Sequence, residues 1–189
     1  MYLAALLAFS APASPTLATA GPDIIPEAFP VRDTSQYTIR YLSESGNDTA
    51  SCLSNQVYPQ LDNTTQHCGS LVYALSGASG FRSYNVSNLI VLILPGSYSM
   101  GERGIKIFNY QNIVLSKLPD TYSGEVIIRC DRHLEDDFNN FYVVNAVNFA
   151  LNGLVFTGCG SYSTPIRLNN VLNAVISNST FRFVALVVS

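Results

Sequence analysis

The chain has 189 residues and a formal net charge of −3, and only 12% of its residues are charged. This length is enough for one domain with a sizeable core. Hydrophobic residues make up 48% of the chain, and the polar remainder is dominated by Asn, Ser and Thr, which is typical of a strand-rich protein. Lys and Arg form no cluster, so nucleic acid and anionic membrane surfaces are poor candidate partners.

Residues 1–20 have the features of a secretory signal peptide. An apolar run at 2–9 is followed by the small residues Ala-Thr-Ala at 18–20, which fit the rule for cleavage before Gly21. The alternative is a buried N-terminal strand or helix, because no Lys or Arg precedes the run. No apolar run in the chain is long enough to span a bilayer. We therefore expect a secreted, extracellular protein without membrane insertion.

Residues 21–36 contain three prolines and predict an extended leader. Residues 37–88 are predicted to form an N-terminal cap region. This region begins with an alternating strand at 37–42, continues through polar turns and loops, and includes a short helix at 69–75.

Coils of β-strand are predicted from residue 89 to residue 189. The run LIVLIL at 89–94 is continuous and apolar, as in a strand packed on both faces, and Pro95 and Gly96 end it. The last predicted coil reaches almost to Ser189 without a recognisable cap. An uncapped coil exposes a parallel edge, so the sequence also suggests a fragment of a longer protein or an edge that pairs with a partner.

Three 12-residue stretches fit one template, at 105–116, 141–152 and 166–177. Each has Asn at places five and eight, apolar residues at places one, three and nine, and Leu or Ile at place eleven. Parallel stacking of such units at about 4.8 Å buries the aliphatic rows and pairs the backbone. Asn at matched corners adopts left-handed conformations and hydrogen-bonds from coil to coil. The predicted ladders are Asn109/Asn145/Asn170 and Asn112/Asn148/Asn173.

The copies are 36 and 25 residues apart, so the first coil carries 11 extra residues (36 − 25). We divide these extra residues between two loops, as insertions of seven and four. This alignment makes residues 125–130, 154–159 and 179–184 equivalent strands of successive coils.

The alignment also stacks Cys130 on Cys159. Neighbouring coils place Cα atoms within the range that a disulfide needs, about 4.4–6.8 Å. Four cysteines allow three pairings, and this one leaves Cys52 to pair with Cys68. The alternative is that Cys130 and Cys159 are buried free thiols.

Secretion would favour both disulfides and N-glycosylation. Four sequons are present, at Asn47, Asn63, Asn85 and Asn178. We expect the first three to lie in accessible loops, whereas Asn178 adjoins the third template copy and is expected to be sterically blocked.

Several motifs resemble those of the pectin-lyase-like right-handed parallel β-helix superfamily, and in particular its secreted animal-type repeat proteins. Residues 93–98 (ILPGSY) resemble the signature of the first coil, and residues 153–159 (GLVFTGC) resemble a recurrent strand. Residues 41–52 resemble the entry strand and turn, and residues 68–75 resemble the capping helix. The resemblance covers residues 37–184. It implies an all-β fold, a right-handed parallel β-helix (solenoid) with a short N-terminal capping helix, but no particular activity.

One dense charged cluster lies at residues 129–137, in an inserted loop. Its carboxylates are candidate ligands for Ca²⁺ or for a sugar: Asp131, Glu135, Asp136 and Asp137. The simpler interpretation is a solvated loop, because the spacing of a Ca²⁺-binding loop is absent. No catalytic residue and no cofactor is predicted.

Tyrosines in or near predicted loops could stack on sugars: Tyr84, Tyr98, Tyr110, Tyr122 and Tyr162. Phe149, Phe156 and Phe181 are instead expected to stack in the core. The favoured function is a secreted, non-catalytic β-helix module that acts as an extracellular scaffold or recognises glycans or matrix proteins. The alternative is a polysaccharide-active lyase or hydrolase, which rests on the resemblance and on the charged loop.

Overall fold

The computed structural model describes residues 25–26, 29–30, 33–56, 58, 65–75, 87–101, 104–118, 123–130, 141–158 and 165–182. These residues are mostly β-strand, arranged in two parallel sheets. The strands, in chain order, are β1 (Thr38–Leu42), β2 (His67–Cys68), β3 (Leu89–Ile93), β4 (Gly96–Ser99), β5 (Ile105–Phe108), β6 (Gln111–Lys117), β7 (Val126–Arg129), β8 (Phe141–Asn152), β9 (Leu154–Thr157), β10 (Ile166–Ser177) and β11 (Thr180–Arg182).

The larger sheet has the order β10-β8-β6-β3-β1-β2, with β5 also paired to β8, and the smaller sheet has the order β11-β9-β7-β4. From β3 onward the chain alternates between the two sheets, except that β5 and β6 are consecutive strands of the larger sheet. One hydrophobic core contains inward side chains of both, among them Val91, Ile113 and Phe149 from the larger sheet and Val126 and Phe156 from the smaller. The all-β prediction is thus confirmed, in the form of two parallel sheets that share a core.

The template copies coincide with strands. Copies two and three are β8 and β10, which begin and end at the template's own limits, and copy one is divided between β5 and β6. Strands β5 and β10 flank the first half of β8, so that Ile105 and Ile166 both pair with Phe141. In the second half, Phe149 pairs with Ile113 on one side and with Ala174 on the other.

Asparagines form the corners of these units. All eight non-glycine residues with positive φ in the described part of the chain are Asn, with φ between 49° and 60°. The structure brings the six predicted ladder residues together: Asn145 donates to Asn109 and Asn170 to Asn145, while Asn148 donates to Asn112 and Asn173 to Asn148. The second ladder continues to Asn88, which accepts from Asn112 at 2.6 Å. The sequence template did not include Asn88, because residue 88 precedes the first copy.

The predicted alignment of the smaller sheet is wrong by one residue. It matched Glu125 with Leu154, whereas Val126 pairs with Leu154. A slip of one residue turns every side chain to the other face, and the core selects Val126, which is buried, over Glu125, which is exposed. The loop insertions are therefore eight residues (11 − 3, from Leu115–Val126 and Leu151–Leu154) and three, rather than seven and four.

The phenylalanines that the sequence predicted to stack in the core belong to the core that the two sheets share, or pack against it. Phe149 and Phe156 are fully buried, and Phe149 packs against Phe141 with ring centroids 5.9 Å apart. Phe181 is partly buried and stacks on Phe156, at 5.1 Å and an interplanar angle of 10°. Phe141 and Phe149 lie on the same strand, β8, whereas the stack of Phe156 and Phe181 joins β9 to β11.

Part of the leader packs on the outer face of the larger sheet. Ile25 and Phe29 are buried in a second cluster with outward side chains of β3 and β6, including Ile90, Leu92 and Val114. This cover explains why β3 is apolar along its whole length. The leader is not extended throughout, because Thr34–Gln36 forms a 3₁₀ turn that Asp33 caps.

The predicted N-terminal capping helix is not seen. The one α-helix of the described residues, α1 (Leu71–Leu75), is a single turn that follows β1 and β2 in the chain. Asp48 holds its start, because the carboxylate accepts from the backbone N–H groups of Gly69 and Ser70 at 2.8 and 2.9 Å. A Cys52–Cys68 disulfide ties β2 to the 3₁₀ turn Ala50–Leu53.

A buried arginine joins these segments. Arg40 lies in β1 and donates to the backbone carbonyls of Leu53, at 3.2 Å, and Ala74, at 2.6 Å. Burial lowers the pKa of its guanidinium, but an arginine keeps its charge in a protein. The carbonyl oxygens therefore compensate a buried cation and fix α1 against the first strand.

Replacement of a mid-ladder asparagine tests the corner geometry. Asn148→Ala removes two side-chain hydrogen bonds and places alanine at a φ of 60°, so we expect the free energy of unfolding to fall by about 2 kcal/mol. Asn148→Gly loses the same hydrogen bonds, but glycine adopts a positive φ without steric cost. This variant should therefore be about 1 kcal/mol more stable than the alanine variant. Urea unfolding followed by circular dichroism measures both, and equal stability of the two variants would contradict a left-handed corner.

The stability of the first strands should depend on His67. Burial lowers the pKa of this imidazole, whose Nδ1 lies 3.0 Å from Ser43 Oγ. Because the folded pKa lies below the unfolded value of about 6.5, the stabilisation is complete above that pH and is lost as pH falls through the folded pKa.

We expect His67→Gln to reduce the loss of stability between about pH 7.5 and pH 5, measured by urea unfolding at each pH. Ser43→Ala is the control, since it removes the partner hydroxyl but keeps the titrating ring. An unchanged pH dependence in His67→Gln would show that another group is responsible.

Candidate glycan-binding face

The outward positions of three neighbouring strands place two cations beside an aromatic ring. On the first half of β8, Tyr142 pairs with Lys106 of β5 on one side and with Arg167 of β10 on the other. All three residues occupy place two of the template, which alternates with the inward places one and three. Lys106 and Arg167 are exposed, and Tyr142 is half-buried.

Contacts at Tyr142 hold the group together. The Arg167 guanidinium lies over the Tyr142 ring, with Cζ 5.5 Å from the centroid. Asn169 Nδ2 donates to the Tyr142 hydroxyl at 3.4 Å, and Phe108 meets the ring edge to face at 6.0 Å. We call Lys106, Phe108, Tyr142, Arg167 and Asn169 the basic-aromatic face.

This face offers three kinds of interaction. Two strand spacings separate Lys106 from Arg167, a distance of about 9.6 Å between backbones, so the cations can meet two separate anionic groups. The rings of Phe108 and Tyr142 offer apolar surface, and Asn169 offers amide hydrogen bonds. Arginine held over a ring presents its fork of donors in a restricted orientation, which suits a carboxylate or a sulfate.

Four carboxylates lie in the described part of the chain. Each has a structural partner elsewhere: Asp33 caps a 3₁₀ turn, Glu44 accepts from the Ser97 N–H, Asp48 holds the start of α1, and Glu125 pairs with Arg182. The Arg182 hydrogen bonds lower the pKa of Glu125, which keeps it ionised and committed to that partner. The side chains of Lys106 and Arg167 are both exposed.

The structure describes only some of the residues that were predicted to bind Ca²⁺ or to stack on sugars. Asp131, Glu135, Asp136 and Asp137 lie outside the described residues, as do Tyr84, Tyr122 and Tyr162. Tyr98 and Tyr110 are buried, so their predicted role as exposed sugar platforms is wrong. Tyr98 donates to the Leu94 carbonyl at 2.8 Å, and its burial raises its pKa to about 12.

One group of metal-ligand side chains occurs in the described residues, Asp48 with Cys52 and Cys68. The cysteines form a disulfide and therefore offer no thiolate, and Asp48 is already bonded to Gly69 and Ser70. The chemistry of this group is that of a structural tie, not of a metal site.

The other cysteines and the sequons are only partly described. Cys130 is disulfide-bonded, and its N–H donates to Thr157, but Cys159 lies outside the described residues, so this pairing stays a prediction. Asn47 is exposed, whereas Asn63 and Asn85 are outside the described part. Asn178 donates its amide nitrogen, the atom that would carry a glycan, to Asn152 at 3.0 Å.

Comparison with known proteins identifies no match for this chain. No protein-family model matches the chain, and neither curated proteins nor solved structures give a match. Among the described residues, no helix has the length and apolar character needed to cross a membrane.

Proposed function

We propose that the chain is a secreted, non-catalytic right-handed parallel β-helix whose basic-aromatic face binds an anionic glycan. The solenoid shape is supported by a chain that passes repeatedly between two parallel sheets and by template copies that pair in register. The Asn ladders supply the corner-to-corner bonds that such stacking needs.

The observation that carries the binding function is the row Lys106–Tyr142–Arg167. Its two cations are exposed, lie on different strands and flank an aromatic ring. Sugars combine apolar ring faces with polar edges, so a ring such as Tyr142 beside hydrogen-bond donors suits them. The cations add a preference for carboxylate or sulfate groups on the sugar.

Other polyanions fit this row less well. The net charge of the chain is −3, and the row contains only two cations, whereas binding to nucleic acid or to anionic lipid relies on many. An extracellular setting is supported by the Cys52–Cys68 disulfide and by the exposed sequon residue Asn47.

The test is binding of the purified protein to anionic oligosaccharides, with uronate-rich, sulfated and neutral sets compared by calorimetry. The double variant Lys106→Gln/Arg167→Gln should bind the preferred anionic set at least about tenfold more weakly, equivalent to about 1.4 kcal/mol. Both positions are exposed, so stability should change by less than about 0.5 kcal/mol. Binding should also weaken with added salt.

Arg129→Gln is the matched control, because Arg129 is an exposed strand arginine of the smaller sheet. Equal binding by the double variant and this control would overturn the assignment of the face. Release of shorter or unsaturated products from the same glycans would instead favour the alternative, a polysaccharide lyase or hydrolase.

A further inference from the structure

The chain contains one Asn-Gly pair, Asn152–Gly153, where β8 ends and β9 begins. Such pairs lose the side-chain amide readily, because glycine has no Cβ to shield its backbone nitrogen. That nitrogen bonds to Cγ of the asparagine, and the side-chain amide leaves as ammonia with the proton of the N–H. Water then opens the cyclic imide to aspartate or to isoaspartate, whose main chain is longer by a single carbon atom.

The fold requires both members of this pair. Gly153 has a φ of 71°, and a Cβ at this position would lie 3.0 Å from the Lys117 Cβ, so other residues are disfavoured. Asn152 occupies place twelve of the template, between Ser116 of β6 and Ser177 of β10. Its Nδ2 donates to Ser116 Oγ at 3.2 Å, and its Oδ1 accepts from Ser177 Oγ at 3.0 Å. A third ladder therefore depends on a dipeptide that is chemically labile.

Hydrogen bonds hold this pair in an unreactive geometry. The Gly153 nitrogen, which must attack, donates its N–H to the Ser177 carbonyl at 3.0 Å. The Asn152 amide is fixed by both serine hydroxyls and by Asn178, which donates to its Oδ1 at 3.0 Å. Attack requires the backbone bond to break and the side chain to turn away from these partners. Three of these four bonds are made by residues 177 and 178, at the end of β10.

We propose that Asn152 is a modification site that the pairing of β8 with β10 keeps latent. While Ser177 is in place, the amide survives. When the end of β10 separates from β8, the Gly153 nitrogen attacks and the pair converts to aspartate or isoaspartate. A brief opening of the sheet is thereby recorded as a permanent chemical change.

The conversion prevents the sheet from closing again in register. Leu151 pairs with Ile176 in the larger sheet, and Leu154 pairs with Val126 in the smaller one. The extra carbon of isoaspartate lies between these two positions, so a modified chain cannot restore both registers. Aspartate offers no amide hydrogen in place of Nδ2. Because β10 also carries Arg167, the loss of its pairing removes this cation from the basic-aromatic face.

The test follows deamidation of the purified protein at neutral pH by peptide mapping with mass spectrometry. In urea above the unfolding midpoint, Asn152 should convert at least about tenfold faster than Asn145 and Asn148, which precede the bulkier Ala146 and Phe149. In the folded protein we expect Asn152 to convert at least about tenfold more slowly than in urea. Equal rates in the two states contradict the protection, and an unreactive Asn152 in urea contradicts the site.

Protein variants separate an opening at Asn152 from global unfolding. Ser116→Ala/Ser177→Ala frees the amide from both hydroxyls, so the folded protein should deamidate at least about threefold faster, with an unchanged rate in urea. Leu71→Ala is the stability control, because Leu71 is buried in α1 and its loss lowers the free energy of unfolding without touching the Asn152 bonds. Its folded rate should match that of the parent. Equal acceleration by Leu71→Ala, or none by the double variant, overturns the proposal.

Aged protein tests the loss of register. The deamidated fraction carries an extra negative charge, so anion exchange separates it from the unmodified protein. We expect trypsin to cut the isoaspartate form after Arg167 at least about fivefold faster than the unmodified form, because β10 no longer pairs along its length. Equal resistance of the two forms would show that the sheet closes again after the conversion, and would contradict the proposal.

Discussion

The left-handed asparagine at each corner is the constraint on which the rest of this molecule depends. Every non-glycine residue with positive φ in the described chain is Asn, and seven of these side chains bond to the equivalent residue of a neighbouring unit. Another L-residue would meet a conformational cost of about 1–2 kcal/mol and would break the ladder. Fixed corners hold neighbouring strands in one register, and that register decides which side chains are buried and which form outward rows.

The outward side chains of the larger sheet are covered in one part of the sheet and exposed in another. On β3 and the second halves of β6 and β8, outward apolar side chains lie under the leader residues Ile25 and Phe29. On β5 and the first halves of β8 and β10, the outward row is Lys106, Tyr142 and Arg167, and both cations are exposed. One end of the larger sheet is covered as well, because residues 55–56 bond to β1.

The sequence predicted those features that follow directly from the repeated 12-residue template. The limits of β8 and β10 and the partners in both ladders follow from counting places, because identical corners force identical spacing. The smaller sheet was misaligned since cysteines were matched there, whereas the alternation of Val126 and Ile128 with exposed Glu125 sets the register. Burial of Tyr98 and Tyr110 depends on tertiary packing that their position near loops does not reveal. The row of Lys106, Tyr142 and Arg167 occupies place two of each template copy, so the template already contained it. Its two charges are far apart in the sequence, however, and form no local cluster there.

Trapping by engineered disulfides measures the register on which the account depends. Val147 and Leu172 are paired, partly exposed positions of adjacent strands, 25 residues apart, so Val147→Cys/Leu172→Cys should oxidise readily at a Cα separation of about 5 Å. In Val147→Cys/Val175→Cys the second cysteine lies three residues further along the strand, at roughly 10 Å, and should stay reduced. Peptide mapping by mass spectrometry separates the new bond from the native ones. Selective closure of the first pair is the predicted result, and equal closure of both pairs, or closure of the second alone, would contradict the stacking in register.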